Sequence, residues 1–415
     1  MSLAVTGAAL DGEVVALRIE DGAIAELGPS VEPKLGDDLI DAAGLLLTPP
    51  MVNGHTHAAM TLFRGFGDEM ALMEWLRTRI WPAEARLEPE DVYWGTRLAC
   101  VEMIRSGTTK FLDMYWHGVE VARAVVDSGI RATVSTVMID QLDPVRGEGM
   151  RPELLEALDR IAEAGPRVTP SLGPHAIYTV SPESLAWVAE VGAEREIPLH
   201  IHLSETEREV SDCRDAQGKR PAEYLDDLGF LGERSILAHG VWLDRGELEL
   251  IAERGATVVA NPAANMKLAV GGVLSYPAAA AAGAAIGLGT DGVSSNSNLD
   301  MFEEVKLFAL SQKHASGDPA TLPAAEALAI ARGLRSPVLA GTALAVGQPA
   351  DFLLLRGSDP ELSAGDPDAD LVYAAGGSVV DTAVVAGRVL MRARQVKGAE
   401  EIAEQVRSRA KRLTG

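Results

Sequence analysis

Between residues 47 and 291, short runs of apolar and β-branched residues recur, separated by longer stretches rich in Ala, Leu and Glu. Eight such runs are legible, at 47–57, 109–114, 132–138, 168–175, 197–202, 235–239, 256–261 and 285–291. Strands of a parallel sheet are covered on both faces, so they read as continuous apolar runs and not as alternating ones. Eight of them alternating with helical segments predict an α/β protein built on a closed (β/α)8 barrel. A doubly wound open sheet is the alternative. No glycine-rich phosphate loop follows the first run, which weighs against it.

The two ends of the chain have a different texture. Val15, Leu17 and Ile19 alternate with smaller or charged neighbours, and Asp21-Gly22 supplies a hairpin turn before Ala23-Ile24-Ala25. The same pattern returns at 351–355 and 378–380, and Ala386-Gly387 splits a further hairpin over 382–391. These ends predict one small β-sandwich domain assembled from both termini. The expected organisation is therefore 1–49 and 343–415 for the small domain, with the barrel over 50–342.

Composition narrows the function classes. The 415 residues suffice for a barrel of roughly 250 residues plus a small domain. With 37 basic and 60 acidic side chains the formal charge is -23, which provides no basic footprint for a nucleic acid. No run reaches the ~18 apolar residues of a membrane span, and no signal peptide is legible at Met1. The two cysteines, Cys100 and Cys213, fit a reducing, cytoplasmic setting better than a disulfide framework.

Polar residues gather at the C-terminal tips of the apolar runs: His55, His57, His175, His202, His239 and Asp291. In a barrel those tips form one face, where side chains from distant strands converge. In Asn53-Gly54-His55-Thr56-His57 the two imidazoles are two apart on a strand and share a side, so both reach one ion; alone, the pair reads equally well as barrel filling. His202 is a third nitrogen donor, with Glu205 just beyond the strand. His200 has the same parity but lies deeper and is expected in the core. Glu205 after Ser204 also reads as a first-turn helix residue, His239 as a buried structural histidine, and Asp291-Gly292 as a plain turn. Together the donors suit Zn2+, with Fe2+ or Mn2+ as alternatives, and an open position would hold water.

These segments resemble the amidohydrolase superfamily, and within it the methylthioadenosine/S-adenosylhomocysteine deaminase and chlorohydrolase branch. The motifs that carry the resemblance run in order over most of the chain. They are Asn53-Gly54-His55-Thr56-His57, Leu62-Phe63-Arg64-Gly65, Gly107-Thr108-Thr109, Asp113-Met114-Tyr115, Gly173-Pro174-His175, His202-Leu203-Ser204-Glu205-Thr206, Ala238-His239, Asn261-Pro262-Ala263-Ala264-Asn265 and Gly289-Thr290-Asp291-Gly292. The resemblance implies one zinc held by His55, His57, His202 and Asp291, with proton work by Glu205, His239 and Asp291. It implies that Glu84, just beyond a helix expected at 68–80 over the site, contacts ribose hydroxyls and that His175 helps hold the substrate. It further implies a homo-oligomer.

The function so expected is hydrolytic deamination of an adenine nucleoside such as methylthioadenosine or adenosine, giving the inosine analogue and ammonia. The alternative is a deaminase or chlorohydrolase acting on a pterin, guanine or triazine ring. The arginines that pair with a substrate carboxylate in homocysteine-binding members have no clean counterpart here. Arg146 and Arg151 lie in the right region, while Thr136-Val137-Met138-Ile139 is apolar. That favours an uncharged 5′ substituent. Lys110 and His314 are expected at the surface or in salt bridges, and His117 near the pocket or in an ordinary loop.

Overall fold

The computed structural model describes residues 2–362 and 365–415. Eight strands lie in parallel and in simple sequence order: Met51–Thr56, Thr108–Tyr115, Arg131–Met138, Val168–Pro174, Leu199–Leu203, Ser235–His239, Thr257–Ala260 and Ala285–Leu288. Helices such as Gly118–Ser128, Pro144–Ala162 and Pro182–Arg195 follow the strands and bury their apolar sides against them. This is the (β/α)8 arrangement, with the C-terminal strand tips gathered on one face.

The seam between the last and the first strand is made differently from the others. Among the described residues no ladder joins them. Instead the His55 carbonyl accepts N–H bonds from Thr290 (3.1 Å) and Asp291 (3.0 Å). The Asn53 amide donates to the Thr290 hydroxyl (2.7 Å), and its oxygen accepts from the Thr290 N–H (3.1 Å). Gly289 makes this approach possible, because a Cβ there would lie 2.6 Å from both the His55 nitrogen and the Asn261 side-chain oxygen.

The expected first strand at 47–57 is two strands. Leu45–Thr48 pairs antiparallel with Phe352–Arg356 in the sheet built from the termini, and only Met51–Thr56 enters the barrel. Pro49 and Pro50 lie between them, and having no N–H to give they cannot carry one ladder into the next. The terminal sheet is mixed and nine-stranded, running from Gln395–Val396 through Phe352–Arg356 and Leu45–Thr48 to Ala23–Gly28. Its own core contains Val5, Leu17, Ile24, Phe352 and Val384. Arg131 ties it to the barrel through the buried Asp351 (2.6 Å). The C-terminal helix Ala399–Thr414 returns to the barrel, where Arg409 and Arg412 both pair with the fully buried Asp91 of the helix Pro89–Arg105. No described helix is long and apolar enough to cross a membrane.

Because the seam depends on a missing side chain, Gly289→Ala is expected to destabilise the fold by about 1–3 kcal/mol, the usual cost of overpacking. Denaturant unfolding measures this directly. A midpoint equal to the parent's would mean the seam yields without strain.

Candidate metal centre and active-site cleft

His55, His202, His239 and Asp291 bring one ligand-type atom each to within 4.8 Å of one another, and all four are buried. His57 joins them, with Nε2 3.1 Å from Asp291 Oδ1 and 3.3 Å from Nε2 of His202. His55 Nε2 lies 3.4 Å from the same carboxylate oxygen and has no hydrogen-bond partner among the described residues. A buried imidazole nitrogen left bare beside a carboxylate marks a place for a positive ligand.

The outer nitrogens decide what the inner ones can do. Nδ1 of His57 donates to the Met114 carbonyl (2.5 Å) and Nδ1 of His202 to the His175 carbonyl (2.7 Å). His55 Nδ1 meets His200 Nε2 at 2.9 Å. The carbonyl acceptors put a proton on Nδ1 of His57 and of His202, so their Nε2 atoms are the ones that face the centre. His239 is held the other way, since the Asn265 amide nitrogen lies 2.9 Å from its Nδ1. That Nδ1 therefore accepts, and the proton sits on Nε2 as a donor. Burial keeps His202 well below the ordinary histidine range and His239 down at about 3, so both are neutral at physiological pH.

The acids are arranged with equal care. Burial works against charge on Asp291, yet its contacts with His55 and His57 hold it well below the usual carboxylate range. Its second oxygen accepts from the Ser295 hydroxyl at 2.6 Å. Glu205 behaves oppositely: burial, then the charges of Asp291 and Glu209, push its carboxyl well above the ordinary range. Both causes favour its protonated form. Glu205 Oε1 lies 3.9 Å from Nδ1 of His239. Ser204 (φ 50°), His239 (φ 76°) and Asp291 (φ 58°) all have left-handed backbone, unusual for residues with a side chain. Such strain at three strand exits is what functional sites commonly show.

The cluster forms the floor of a cleft whose walls are mostly apolar, among them Leu72, Trp75, Ile80, Trp81, Val137 and Leu268. The cover expected as a helix at 68–80 is displaced toward the C-terminus, running as Leu72–Trp75, a wide turn Leu76–Ile80 and Trp81–Glu84. Positive φ at Gly65, Gly67 and Glu69 turns the chain before it can become helical. Glu84, at the end of this cover, accepts from the Tyr115 hydroxyl (2.8 Å) and from Trp116 Nε1 (3.2 Å). Burial raises its carboxyl despite these donors.

Glu84, His175, Glu205 and His239 line the cleft with His57, His202 and Asp291. Arg146 is exposed and lines an outer chamber that adjoins the cleft at Trp81, Glu84 and Tyr178. Arg151 joins neither space; its guanidinium packs over the Trp187 ring, 5.2 Å from the centroid. His117 faces the outer chamber and His314 is exposed. Lys110 is half-buried and among the described residues makes no salt bridge: it donates to the Leu339 carbonyl (2.7 Å), and burial brings its amine down to about 8. His200, expected as core filling, is the partner that orients His55. Sequence reasoning missed Ser295, Asn265, Tyr115, Trp116 and Glu209. Asn265 and Tyr115 fall inside quoted motifs, and Thr206 followed three residues later by Glu209 is a capping pattern.

The model of the amidohydrolase family matches residues 46–390. A 5'-deoxyadenosine deaminase of Methanoregula boonei is 48% identical over 380 residues, 90% of this chain and 86% of that protein. The 5-methylthioadenosine/S-adenosylhomocysteine deaminase 1 of Archaeoglobus fulgidus is 41% identical over 408 residues, 96% of this chain and 95% of that one. Among solved structures, an adenosine deaminase from Xanthomonas campestris with bound zinc superposes with a TM-score of 0.91 at 31% identity, covering 99% of this chain and 98% of the other.

If His200 fixes the orientation and tautomer of His55, then His200→Leu is expected to weaken zinc binding by ~10–100-fold while the fold persists. Competition with a chromophoric chelator reads this out. Unchanged affinity would reduce His200 to core filling.

Proposed function

This chain belongs to the amidohydrolase family and is a hydrolase of C–N bonds, and we propose that it deaminates adenine nucleosides whose 5′ end is uncharged. The substrates meant are 5′-deoxyadenosine, methylthioadenosine and adenosine, each converted to its inosine counterpart with release of ammonia. The observation that carries the reading is a buried Glu205 carboxyl, pushed toward its protonated form, set beside the neutral imidazoles of His202 and His239 and an ionised Asp291, at the floor of an apolar cleft. An apolar cleft accepts a planar heterocycle, and a buried protonated acid suits loss of an amine, a leaving group that needs a proton.

The residues present fit a zinc ion. His55, His57 and His202 would supply neutral Nε2 donors and Asp291 one oxygen, a borderline N/O set of the kind zinc takes, and the bare Nε2 of His55 supports the assignment. Zinc bound there supplies Lewis acidity, which makes water a nucleophile near neutral pH. Asp291, fixed by Ser295, accepts the proton of the attacking water. Glu205 gives its proton to the ring nitrogen beside the carbon under attack. His239 donates from Nε2 to the incoming oxygen as charge develops on it. Asp291 then returns its proton to the amine, which departs as ammonia, while the new hydroxyl gives its proton to the Glu205 carboxylate, leaving the ring carbonyl and restoring the acid. Glu84 faces the ribose hydroxyls, and His175 closes the substrate's other side. The 5′ substituent points toward the outer chamber, where the one arginine of the pair expected for a carboxylate, Arg146, is solvent-exposed. A homo-oligomer working in the cytoplasm belongs to the same reading. The two cysteines are free and buried, as suits a reducing compartment.

Ammonia release from a panel of adenosine, 5′-deoxyadenosine, methylthioadenosine, S-adenosylhomocysteine, guanine and isoxanthopterin, with chloride release followed for a chlorotriazine, tests the substrate. The uncharged adenine nucleosides are expected to lead, with S-adenosylhomocysteine slower; turnover of the pterin, guanine or triazine alone would overturn the assignment. Glu205→Gln is expected to lower kcat by ~10²–10⁴-fold on the best substrate. The acid acts only while protonated, so the parent's rate should fall as pH rises through the raised Glu205 value. A pH–rate profile without that alkaline limb would remove Glu205 from the role.

A further inference from the structure

Two consecutive backbone N–H groups, those of Ser204 and Glu205, point at one carboxylate. Glu209 accepts from Ser204 with Oε1 (2.8 Å) and from Glu205 with Oε2 (2.9 Å). Successive N–H groups converge in this way where one residue takes a left-handed conformation, and the concavity so formed binds anions. Ser204, at φ 50°, is that residue. The anion here is a side chain of the same chain, one turn into the helix Glu207–Gln217, and it is buried with 5% exposed. Thr206 caps that helix by accepting from the Glu209 N–H (3.2 Å). In an ordinary capping box the glutamate would return to the cap residue's own N–H. Glu209 extends this pattern to the two residues that follow the strand Leu199–Leu203.

The same turn is stapled to its neighbour. The Leu203 and Ser204 carbonyls accept from Gly240 (3.0 Å) and Trp242 (2.9 Å), the residues that follow His239. Among the described residues the Glu205 carboxyl has no hydrogen bond to fix it, and its Oε1 lies 3.9 Å from Nδ1 of His239. Its direction therefore depends on its backbone, whose N–H groups Glu209 holds from one side while Gly240 and Trp242 hold the carbonyls from the other.

From this geometry we infer that Glu209 is a positioning residue for the reaction, holding the strained Ser204–Glu205 turn so that the Glu205 carboxyl faces the substrate ring. It touches neither the ring nor the metal ligands and acts only through Glu205. This rests on the reading of Glu205 as the acid. Glu209→Gln keeps the size but offers one acceptor and one N–H to two N–H donors, so one of the two bonds becomes a repulsion.

The test is a double-mutant cycle on the zinc-loaded enzyme with its best nucleoside, comparing the parent, Glu205→Gln, Glu209→Gln and the double variant. Glu209→Gln is expected to lower kcat by ~10–100-fold with KM and zinc content unchanged, as loss of a supporting hydrogen bond does. The double variant is expected to be no slower than Glu205→Gln alone, because the supported group is already gone. Losses that multiply, or a rise in KM or loss of zinc in step with kcat, would overturn the inference and leave Glu209 a general stabiliser. Should Glu209→Gln fail to fold, Glu209→Asp, with the carboxylate drawn back by one methylene, enters the same cycle with the same criteria. An active Glu205→Gln would instead overturn the reading of the acid itself, so the two failures are distinguishable.

Discussion

The carbonyl oxygen of His55 accepts two N–H bonds, from Thr290 and Asp291, and these close the circle of strands at the point where the reactive groups meet. A barrel can be closed by a ladder, but a ladder would fill the seam with regular backbone. Here two single bonds and the Asn53–Thr290 side-chain pair do the closing. They leave Asp291 free to take a left-handed backbone and turn its carboxylate toward His55 and His57. The ligand from the last strand and the ligands from the first are neighbours because the barrel is closed, and Gly289 permits the contact.

Outward from that seam, each reactive group is held by a second group that does no chemistry. The Met114 and His175 carbonyls fix two imidazoles with Nε2 inward and His200 pairs with the Nδ1 of a third, whereas Asn265 fixes His239 with the proton inward. The same side chain type thereby does two jobs, according to which nitrogen is occupied from outside. Carboxylates divide likewise. Asp291, among imidazoles and the Ser295 hydroxyl, is ionised, while Glu205, with little but burial and negative neighbours about it, keeps its proton. Opposite environments separate a base from an acid in one cavity.

Much of the surface is acidic, with a formal charge of -23, and the cleft walls are apolar. Binding of a neutral aromatic ring follows from burial of its faces, whereas a charged substituent would need a partner. Arg151 is engaged with Trp187, and Arg146 lies at the rim. That distribution is consistent with a substrate that brings no carboxylate.

The sequence by itself determined the barrel, because parallel strands must be apolar on both faces and eight such runs can be counted. It also put the histidines and Asp291 at strand tips, since strand parity and the end of an apolar run are local properties. Local reading could not see that Pro49-Pro50 divides one apolar run between two sheets, as hydrophobicity continues across the break while hydrogen bonding does not. Nor could it see His200 behind His55, Ser295 behind Asp291 or Glu209 behind Glu205. The alternation of a strand says which side a residue faces, but which nitrogen of an imidazole is bonded, and whether a carboxylate is charged, depend on groups from other strands. Those groups come together only when the barrel closes, so tertiary structure alone decided which histidines offer a lone pair and which acid keeps its proton.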